Sequence, residues 1–236
     1  MSALGDAAWP EVRPDAVLLV PLGSTEQHGP HLPLSTDTDI AVGVCAGVAR
    51  ARAGVVVAPA VAIGASGEHQ DFPGTLSIGH DALTTVLVEL VRSATVTFSR
   101  VVLVNAHGGN ALALRRAREV LHGEGRDVLV WSAAYDAPPA RSPGPGAGAG
   151  GDAHAGRAET SLMLALRPDL VRAGRDAGDT RPLADLLPAL QRSGVRAVSP
   201  SGVLGDPHDA SPEEGQRLLD GLVRALADAI TARWPT

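Results

Sequence analysis

The sequence contains no lysine, one cysteine and few aromatic residues, which make up 3% of its 236 residues. Because Cys45 has no second thiol, an intrachain disulfide and a zinc–cysteine site are excluded, and a bound metal must be held by histidine and carboxylate side chains. The formal net charge is −6, and the arginines are scattered without a run of like charge. This pattern leaves no basic face for nucleic acid or for an anionic membrane.

Long apolar runs are also missing. The longest are much shorter than the roughly 18 residues that a membrane span needs. The segment MSALGDAAWPEVRP has neither the basic nor the apolar region of a signal peptide. We therefore expect a cytoplasmic protein with no membrane partner. The length, with 44% hydrophobic residues, suits one sizeable core, so we expect residues 1–236 to form a single domain.

Short β-rich runs alternate with segments of helical period. The strands are predicted at 16–22, 54–59, 100–105 and 127–135, and the helices at 39–52, 81–98, 111–123, 183–191 and 212–234. This alternation predicts an α/β fold with a mostly parallel sheet covered by helices on both faces. Residues 136–151 are rich in glycine and proline and predict a loop, which is either a flexible insertion or a lid or intersubunit arm.

Polar clusters follow each of the four predicted strands. They read GSTEQHG after the first strand, ASGEHQDFPGT after the second, NAHGGN after the third, and DAHAGRAETS beyond the fourth strand and the 136–151 loop. Four of the eight histidines lie in these clusters: His28, His69, His107 and His154. Because ligands of open α/β sheets bind at the carboxyl ends of the strands, we expect these loops to form one site.

Several of these residues have the spacing or setting of metal ligands. Glu26 and His28 are two residues apart, so in an extended segment both side chains leave the backbone on the same side. His107 is followed by two glycines, which keep bulk away from its side chain. The remaining histidines, His31, His80, His122 and His208, have no ligand-like context, and we expect them to be surface or structural residues.

Two further carboxylates have an ordinary structural alternative. Asp37 precedes the predicted helix 39–52 and is either its N-cap or a metal ligand, and Asp39 can serve as the cap instead. Glu159 either stabilises the first turn of the helix AETSLMLAL or binds metal. His154 lies five residues before Glu159, which is off-register for one helix face, so the two are expected to straddle the helix start.

Histidines and carboxylates from separate loops suit a pair of divalent ions such as zinc, manganese or iron. Three carboxylates and one hydroxide offset the charge of two such ions, so a pair is favoured over a single ion. A metal-free binding or scaffold protein with the same fold is the alternative from another functional class. It predicts broken ligand positions, and none of the five is broken.

The chain resembles the creatininase family of binuclear metal amidohydrolases. The resemblance is carried, in the family's order, by GSTEQHGPHLPLSTDTDIA, FPGTLSIG, NAHGGN, HAGRAETS and GVLGDP. It implies a three-layer α/β sandwich, two divalent metal ions per chain and hydrolysis of a C–N bond in an amide or peptide. It further implies that Glu26 and His107 bind one metal, that His28 and Glu159 bind the other, and that Asp37 bridges both.

The departures from the family's pattern concern the substrate. Creatinine-cleaving members have Tyr-Glu after the motif histidine, with the glutamate as a ligand, where this chain has Gly108 and Gly109. The tryptophan and aspartate that close over creatinine fall on Gly150 and Gly151. Creatinine is therefore disfavoured as a substrate, and Glu159 takes the place of the missing ligand.

A subgroup resemblance indicates the substrate. GASGEHQ, HGEGRD, GGDAHAG, PLADLLPAL and AVSPSGVLGDP resemble the creatininase-like peptidases of the mycofactocin system. Those peptidases release a C-terminal Val-Tyr-derived dipeptide from a modified ribosomal precursor peptide. The alternatives within the family are a formamide hydrolase of flavin or deazaflavin biosynthesis and creatinine amidohydrolase.

The resemblance also implies roles for three residues and a quaternary state. His154 occupies the position of the family's HxG histidine and is the candidate proton donor to the leaving nitrogen, with a structural contact as the alternative. Ser66 and His69 lie in the loop where family members contact substrate. Family members form closed rings of dimers, so a homo-oligomer, a hexamer or octamer, is expected.

Overall fold

The computed structural model describes residues 3–134 and 152–235. Within these ranges the chain forms one sheet of four parallel strands: β1 (Val17–Leu22), β2 (Val55–Val57), β3 (Arg100–Asn105) and β4 (Val128–Ser132). The strand order is β2-β1-β3-β4. All six residues of β1 are buried, as an apolar run in a sheet covered on both faces requires.

The register of the two central strands places the candidate site at one edge of the sheet. β1 and β3 pair in parallel from Val17 opposite Arg100 to Leu22 opposite Asn105, so both strands end at the same level. The loop that carries Glu26 and the loop that carries His107 therefore leave the sheet side by side.

Six α-helices lie within the described ranges: α1 (Thr36–Ala51), α2 (Gly79–Ala94), α3 (Ala111–Gly123), α4 (Arg157–Leu166), α5 (Leu183–Val198) and α6 (Pro212–Arg233). Helices α1, α4 and α6 share a core with Leu19 and Val102 on one face of the sheet. Helices α2 and α3 share a second core with Leu18 and Leu103 on the opposite face. The predicted three-layer α/β sandwich is confirmed.

Some predicted element boundaries were wrong, most consequentially that of α1. The helix was expected to begin at residue 39 but begins at Thr36, because the Thr36 hydroxyl donates to the Pro33 carbonyl and the Asp39 amide already donates to the Ser35 carbonyl. Asp37 thus lies within the first turn and not before it. Three strands are shorter than predicted, β1 by one residue at its start and β2 and β4 at both ends.

Helix α5 is longer than predicted and carries a sharp break. Gly194 adopts φ 72° and ψ 178°, which lets the chain turn and continue to Val198 instead of ending at 191. A Cβ on Gly194 would lie 2.9 Å from the Glu68 carbonyl oxygen, so the break brings α5 against the segment 67–72. Arg196 donates to the Asp71 carbonyl at 2.7 Å and stacks over the Phe72 ring at 5.4 Å.

Among the described helices, none combines the length and the apolar character that a bilayer span demands. The 136–151 loop predicted from the sequence lies outside the described residues, and so does residue 135 of the predicted fourth strand. The single domain expected for residues 1–236 stays a prediction.

Candidate metal centre

Five buried side chains from four parts of the chain converge at the carboxyl end of the sheet. The loop after β1 contributes two of them, the first turn of α1 one, the loop after β3 one, and the first turn of α4 one. The five are Glu26, His28, Asp37, His107 and Glu159, and none is more than 6% exposed. These are the residues that the sequence singled out as candidate metal ligands.

One group of three offers ligand atoms that lie within 4.8 Å of one another: Glu26, Asp37 and His107. His107 Nδ1 lies 3.1 Å from Asp37 Oδ2, and His107 Nε2 lies 3.2 Å from Glu26 Oε2. A second group contains His28, Asp37 and Glu159. There, His28 Nε2 lies 3.2 Å from Asp37 Oδ1 and 3.9 Å from Glu159 Oε2.

Asp37 belongs to both groups and presents a different oxygen to each. Its side chain also accepts a hydrogen bond of 2.7 Å from the Ser24 hydroxyl. The N-cap of α1 is Ser35, so the helix-cap role considered for Asp37 is wrong. Asp39 is not the cap either, because it lies within the first turn and its carboxylate accepts from the Ser35 hydroxyl.

A third group has the same compactness and involves the HxG histidine. Glu26, His28 and His154 offer ligand atoms within 4.8 Å of one another. His154 precedes α4, whereas Glu159 lies in its first turn, so the two straddle the helix start as expected from their spacing. His154 is therefore placed either to bind a metal ion or to act beside one.

The chemistry of the donor set fits divalent cations. Glu26 is fully buried, and its two carboxylate oxygens lie 3.2 Å from His69 Nε2 and from His107 Nε2 without forming an aligned hydrogen bond to any described residue. Such a group is costly unless a cation compensates its charge. Burial raises the pKa of Glu26 and that of Glu159 to about 7, so both carboxylates resist ionisation in the absence of added positive charge.

Two histidines of the cluster supply positive charge to the carboxylates, because their pKa values are raised. Burial disfavours the charged form of His28, but Asp37 outweighs it and raises the pKa of His28 to about 10. Burial likewise opposes the charged form of His107, and Glu26 with Asp37 raises its pKa to about 9. Four acidic or imidazole groups therefore hold protons near neutral pH that a divalent ion would displace.

Hydrogen bonds to the backbone orient the ligand nitrogen of His28. Its Nδ1–H donates to the Glu26 carbonyl oxygen at 3.2 Å, which leaves Nε2 facing Asp37 and Glu159. Metal-binding histidines characteristically use one ring nitrogen for such a contact and the other for the metal.

Gln27 contacts two histidines beside the cluster, a role that the sequence analysis missed. Its side-chain amide contacts His69, and its backbone carbonyl contacts His154. Its buried amide nitrogen donates to His69 Nδ1 at 2.8 Å and to the Gly202 carbonyl at 3.3 Å, and its Oε1 accepts from the Gly29 amide at 2.8 Å. His69 therefore carries its hydrogen on Nε2, which faces Glu26 Oε1 at 3.2 Å. The position of Gln27 between two candidate ligands was the available signal.

The two predicted substrate contacts differ in their surroundings. His69 lines the cleft described below, and burial together with the charges of His28 and His107 lowers the pKa of His69 to about 3, so its ring is neutral. Ser66 is fully buried, with its hydroxyl 3.4 Å from His107 Nε2. In this structure Ser66 therefore contacts a candidate ligand.

The remaining histidines belong to none of the three ligand groups, although His80 lines the cleft described below. His31 is buried and its Nε2 bonds to the Thr160 hydroxyl at 2.9 Å, whereas His80 Nε2 donates to the Gly109 carbonyl at 3.1 Å. His122 and His208 are exposed. His31 and His80 thus make structural hydrogen bonds, and His122 and His208 lie on the surface.

A cleft of about 1000 Å³ adjoins the cluster. Part of its lining is polar and comes from Glu26, Asp37, His107 and Glu159. Another part comes from α5, which contributes three leucines together with Gln191 and Arg192. The volume lies at the upper end of the range for small-molecule sites, and the cleft gives the candidate ligands a route to a substrate.

A family model described as "Creatininase: Creatinine amidohydrolase" matches residues 5–230. This chain belongs to the creatininase family. The mycofactocin precursor peptide peptidase of Mycobacterium ulcerans (strain Agy99) is 48% identical over 237 residues, which cover 97% of this chain and 87% of the relative. The creatinine amidohydrolase of Pseudomonas putida is 33% identical over 257 residues, which cover 98% of this chain and 97% of the relative.

Solved creatininases share the fold over the whole chain. A structure described as "Creatininase Mn" superposes with a TM-score of 0.82 and 30% identity, and the match covers 100% of both chains. Creatininase-family membership and the clustered acidic and histidine side chains together establish a metal-dependent hydrolase of C–N bonds.

The structure explains how this creatininase-family member accommodates glycine after the motif histidine. A Cβ on Gly109 would lie within 3.0 Å of the Ala65 carbonyl oxygen, of His107 Nε2 and of Glu68 Oε1, whereas a Cβ on Gly108 would meet no atom within 4 Å. A side chain at 109 is thus excluded by packing against His107. Glu68, whose Oε1 lies 3.9 Å from His107 Nε2, belongs to the polar cluster after the second strand, but the sequence analysis did not single it out.

The two adjacent glycines provide a matched test of this packing. Gly109→Ala is expected to displace His107 and to destabilise the fold by about 1–3 kcal/mol, which lowers Tm by roughly 2–10 °C. It should also reduce the metal content after reconstitution. Gly108→Ala should change neither property by much. Calorimetry and metal analysis of both variants check this, and identical behaviour of the two would contradict the proposed packing.

Proposed function

We propose that this chain is a metal-dependent peptidase that releases the C-terminal Val-Tyr-derived dipeptide from the modified mycofactocin precursor peptide. The substrate is inferred from one observation, the 48% identity over 97% of this chain to a curated mycofactocin precursor peptide peptidase. The chemistry is supported by two compact ligand groups that share Asp37 beside an open cleft.

Two divalent ions per chain are proposed, one held by Glu26, Asp37 and His107 and the other by His28, Asp37 and Glu159. Mixed nitrogen and oxygen ligands suit zinc, iron or manganese. When bound, such ions polarise the scissile carbonyl and lower the pKa of the attacking water. The remaining steps require groups that orient the peptide and move protons.

His154 is the proposed proton carrier. A carbonyl oxygen can only accept a hydrogen bond, so the 2.8 Å contact between His154 Nε2 and the Gln27 carbonyl places the ring hydrogen on Nε2. Nδ1 then carries the lone pair and lies 4.0 Å from Glu26 Oε1. Burial and the positive charge of His28 hold the pKa of His154 well below its ordinary value, so the ring is neutral.

A neutral ring whose Nδ1 makes no hydrogen bond to the described residues suits both halves of amide hydrolysis. One proton must leave the attacking water, and one proton must reach the nitrogen that departs. Nδ1 of His154 can take up the first and deliver the second, and the lowered pKa of the ring favours the delivery. The Gln27 carbonyl stabilises the ring in this tautomer throughout, because Nε2 keeps its hydrogen in both states.

The other substrates that the sequence allows receive less support. The creatinine amidohydrolase relative is 33% identical, and the Tyr-Glu of creatinine-cleaving members is replaced by Gly108 and Gly109. A formamide hydrolase uses the same metal chemistry on a smaller substrate, and the long cleft lining along α5 favours a chain-like ligand over it. A non-enzymatic binding protein would not need five intact ligand positions.

Self-association and location also belong to the proposal. We propose a homo-oligomer, a hexamer or octamer by resemblance to the family, which light scattering on the full chain measures directly. The cytoplasmic location expected from the sequence stays a prediction.

The shared carboxylate gives a direct test of the metal assignment. Asp37→Asn keeps the size of the side chain but removes the charge shared by both ligand groups, so metal content is expected to fall toward one ion or none per chain and hydrolysis to be abolished. Asp39→Asn, two residues away in the same helical turn, is the matched control and should keep both. If Asp37→Asn stays fully loaded and active, Asp37 is not a ligand.

His154→Ala separates proton transfer from metal binding. We expect both ions to be retained while turnover falls at least about 100-fold, because only the proton carrier is lost. His122→Ala, an exposed histidine on α3, should leave both properties unchanged. Metal analysis and single-turnover rates measure the difference. Loss of metal from His154→Ala would reassign His154 as a ligand in the group with Glu26 and His28.

Substrate choice is tested by offering three compounds separately to the metal-loaded protein: the modified precursor peptide, creatinine and a formamidopyrimidine. We expect a small C-terminal fragment from the first alone, detected by mass spectrometry. Turnover of the formamide with an untouched peptide would refute the peptidase proposal and support the formamide hydrolase instead.

A further inference from the structure

One side of the cleft is apolar, although the candidate metal centre beside it is densely charged. Leu183, Leu187 and Leu190 of α5 line the cleft that Glu26 and His107 also line. The three leucines are spaced by four and three residues, so they lie along one face of the helix. We call this set the α5 leucine row.

Two members of the α5 leucine row are exposed, and the third, Leu190, is half-buried and packs against the small core beneath the helix. Leu183 is 43% and Leu187 is 42% exposed, whereas Leu186 and Val195 are buried in a small core with Leu204. The helix is therefore attached to the protein through Leu186, Val195 and part of Leu190, and it leaves Leu183 and Leu187 open. Apolar surface that stays exposed beside a polar site is characteristic of a ligand-binding surface.

The row is held at a defined position relative to the candidate metal centre. The helix ends against the segment 67–72 through the Gly194 break and through Arg196, which bonds to the Asp71 carbonyl. That same segment carries His69, whose Nε2 faces Glu26 Oε1. The distance between the row and the polar lining is therefore fixed. A ligand that contacts both must match that distance.

We propose that the α5 leucine row is the subsite that binds the apolar, aromatic C-terminal residue of the substrate. The inference rests on the proposed function, because a Val-Tyr-derived tail supplies an isopropyl group and a phenol ring beside the scissile bond. An aromatic ring buries 150–250 Å² on average, and that area needs an apolar wall and not carboxylates. The polar lining then receives the scissile amide while α5 receives the tail.

A second copy of this chain is the competing occupant of the row. A copy docked on Leu187 would cover the cleft that leads to the candidate ligands, because the same cavity contains both. The continuity of the row with the metal centre therefore favours the substrate. Light scattering distinguishes the two, since a change in mass on substitution of Leu187 would assign the row to an interface and overturn the inference.

The test uses the metal-loaded full chain, with binding measured by calorimetry independently of turnover. The probe is valyl-tyramine, and valyl-ethanolamine is the matched probe without the ring; alanyl-ethanolamine lacks both the ring and the isopropyl group. Leu187→Ser is expected to weaken valyl-tyramine binding about tenfold, because a partly exposed leucine loses its contact with the ring. Val120→Ser on α3, at 44% exposure a close match, should leave binding unchanged.

If Leu187 contacts the ring directly, the effect of Leu187→Ser and the effect of removing the ring from the probe are not additive. Valyl-ethanolamine and alanyl-ethanolamine should both bind the wild type more weakly than valyl-tyramine does, and Leu187→Ser should weaken neither further. Equal binding of valyl-tyramine by the wild type and Leu187→Ser would overturn the subsite, and so would a failure of the wild type to bind valyl-tyramine.

Cleavage of the modified precursor peptide, measured with the same preparations, tests the proposed peptidase activity separately from the proposed α5 subsite. Leu187-dependent binding without cleavage would support the subsite and refute the proposed peptidase activity. Cleavage with the same kcat/KM in the wild type and in Leu187→Ser would support the peptidase and overturn the subsite.

Discussion

The Asp37 carboxylate, with its two oxygens directed at two different histidines, is the contact on which the rest of the site depends. Oδ2 faces His107 and Oδ1 faces His28, while the Ser24 hydroxyl fixes the rotation of the group. Because all three carboxylates of the cluster are buried, their mutual repulsion must be offset by positive charge. Hydrogen bonds from the surrounding loops hold that charged cluster together.

Neutral amide side chains provide much of this support. Asn110 donates to the Gly23 carbonyl and to Asn105 Oδ1, and it accepts from the Ala65 amide, so one side chain joins the loops that follow three strands. On the cleft side, the Gln27 side chain joins the loop after β1 to His69 and to the Gly202 carbonyl. Amides suit this work because they satisfy buried backbone groups without adding charge to a site that already has too much of one sign.

The cleft combines two surfaces of opposite character. Carboxylates and imidazoles line one part and leucines of α5 line another, and the break at Gly194 sets their relative position. The pairing matches what a peptidase of a modified, apolar tail requires, since hydrolysis needs a polar environment and recognition of the tail needs an apolar one. Replacement of bulky residues by Gly108 and Gly109 leaves the motif histidine closely packed without closing the cleft.

The sequence by itself determined the α/β class, the four strands and the five candidate ligands, because apolar runs and the polar motifs that follow them are local properties. It left open whether Asp37 caps α1, since a helix start is uncertain by a few residues and only the observed start at Thr36 removes the cap. The roles of Gln27, Glu68 and the α5 leucine row were decided by tertiary structure alone. Each depends on which distant segments pack against one another, and a break such as that at Gly194 acts through a contact with Glu68 that no local pattern encodes.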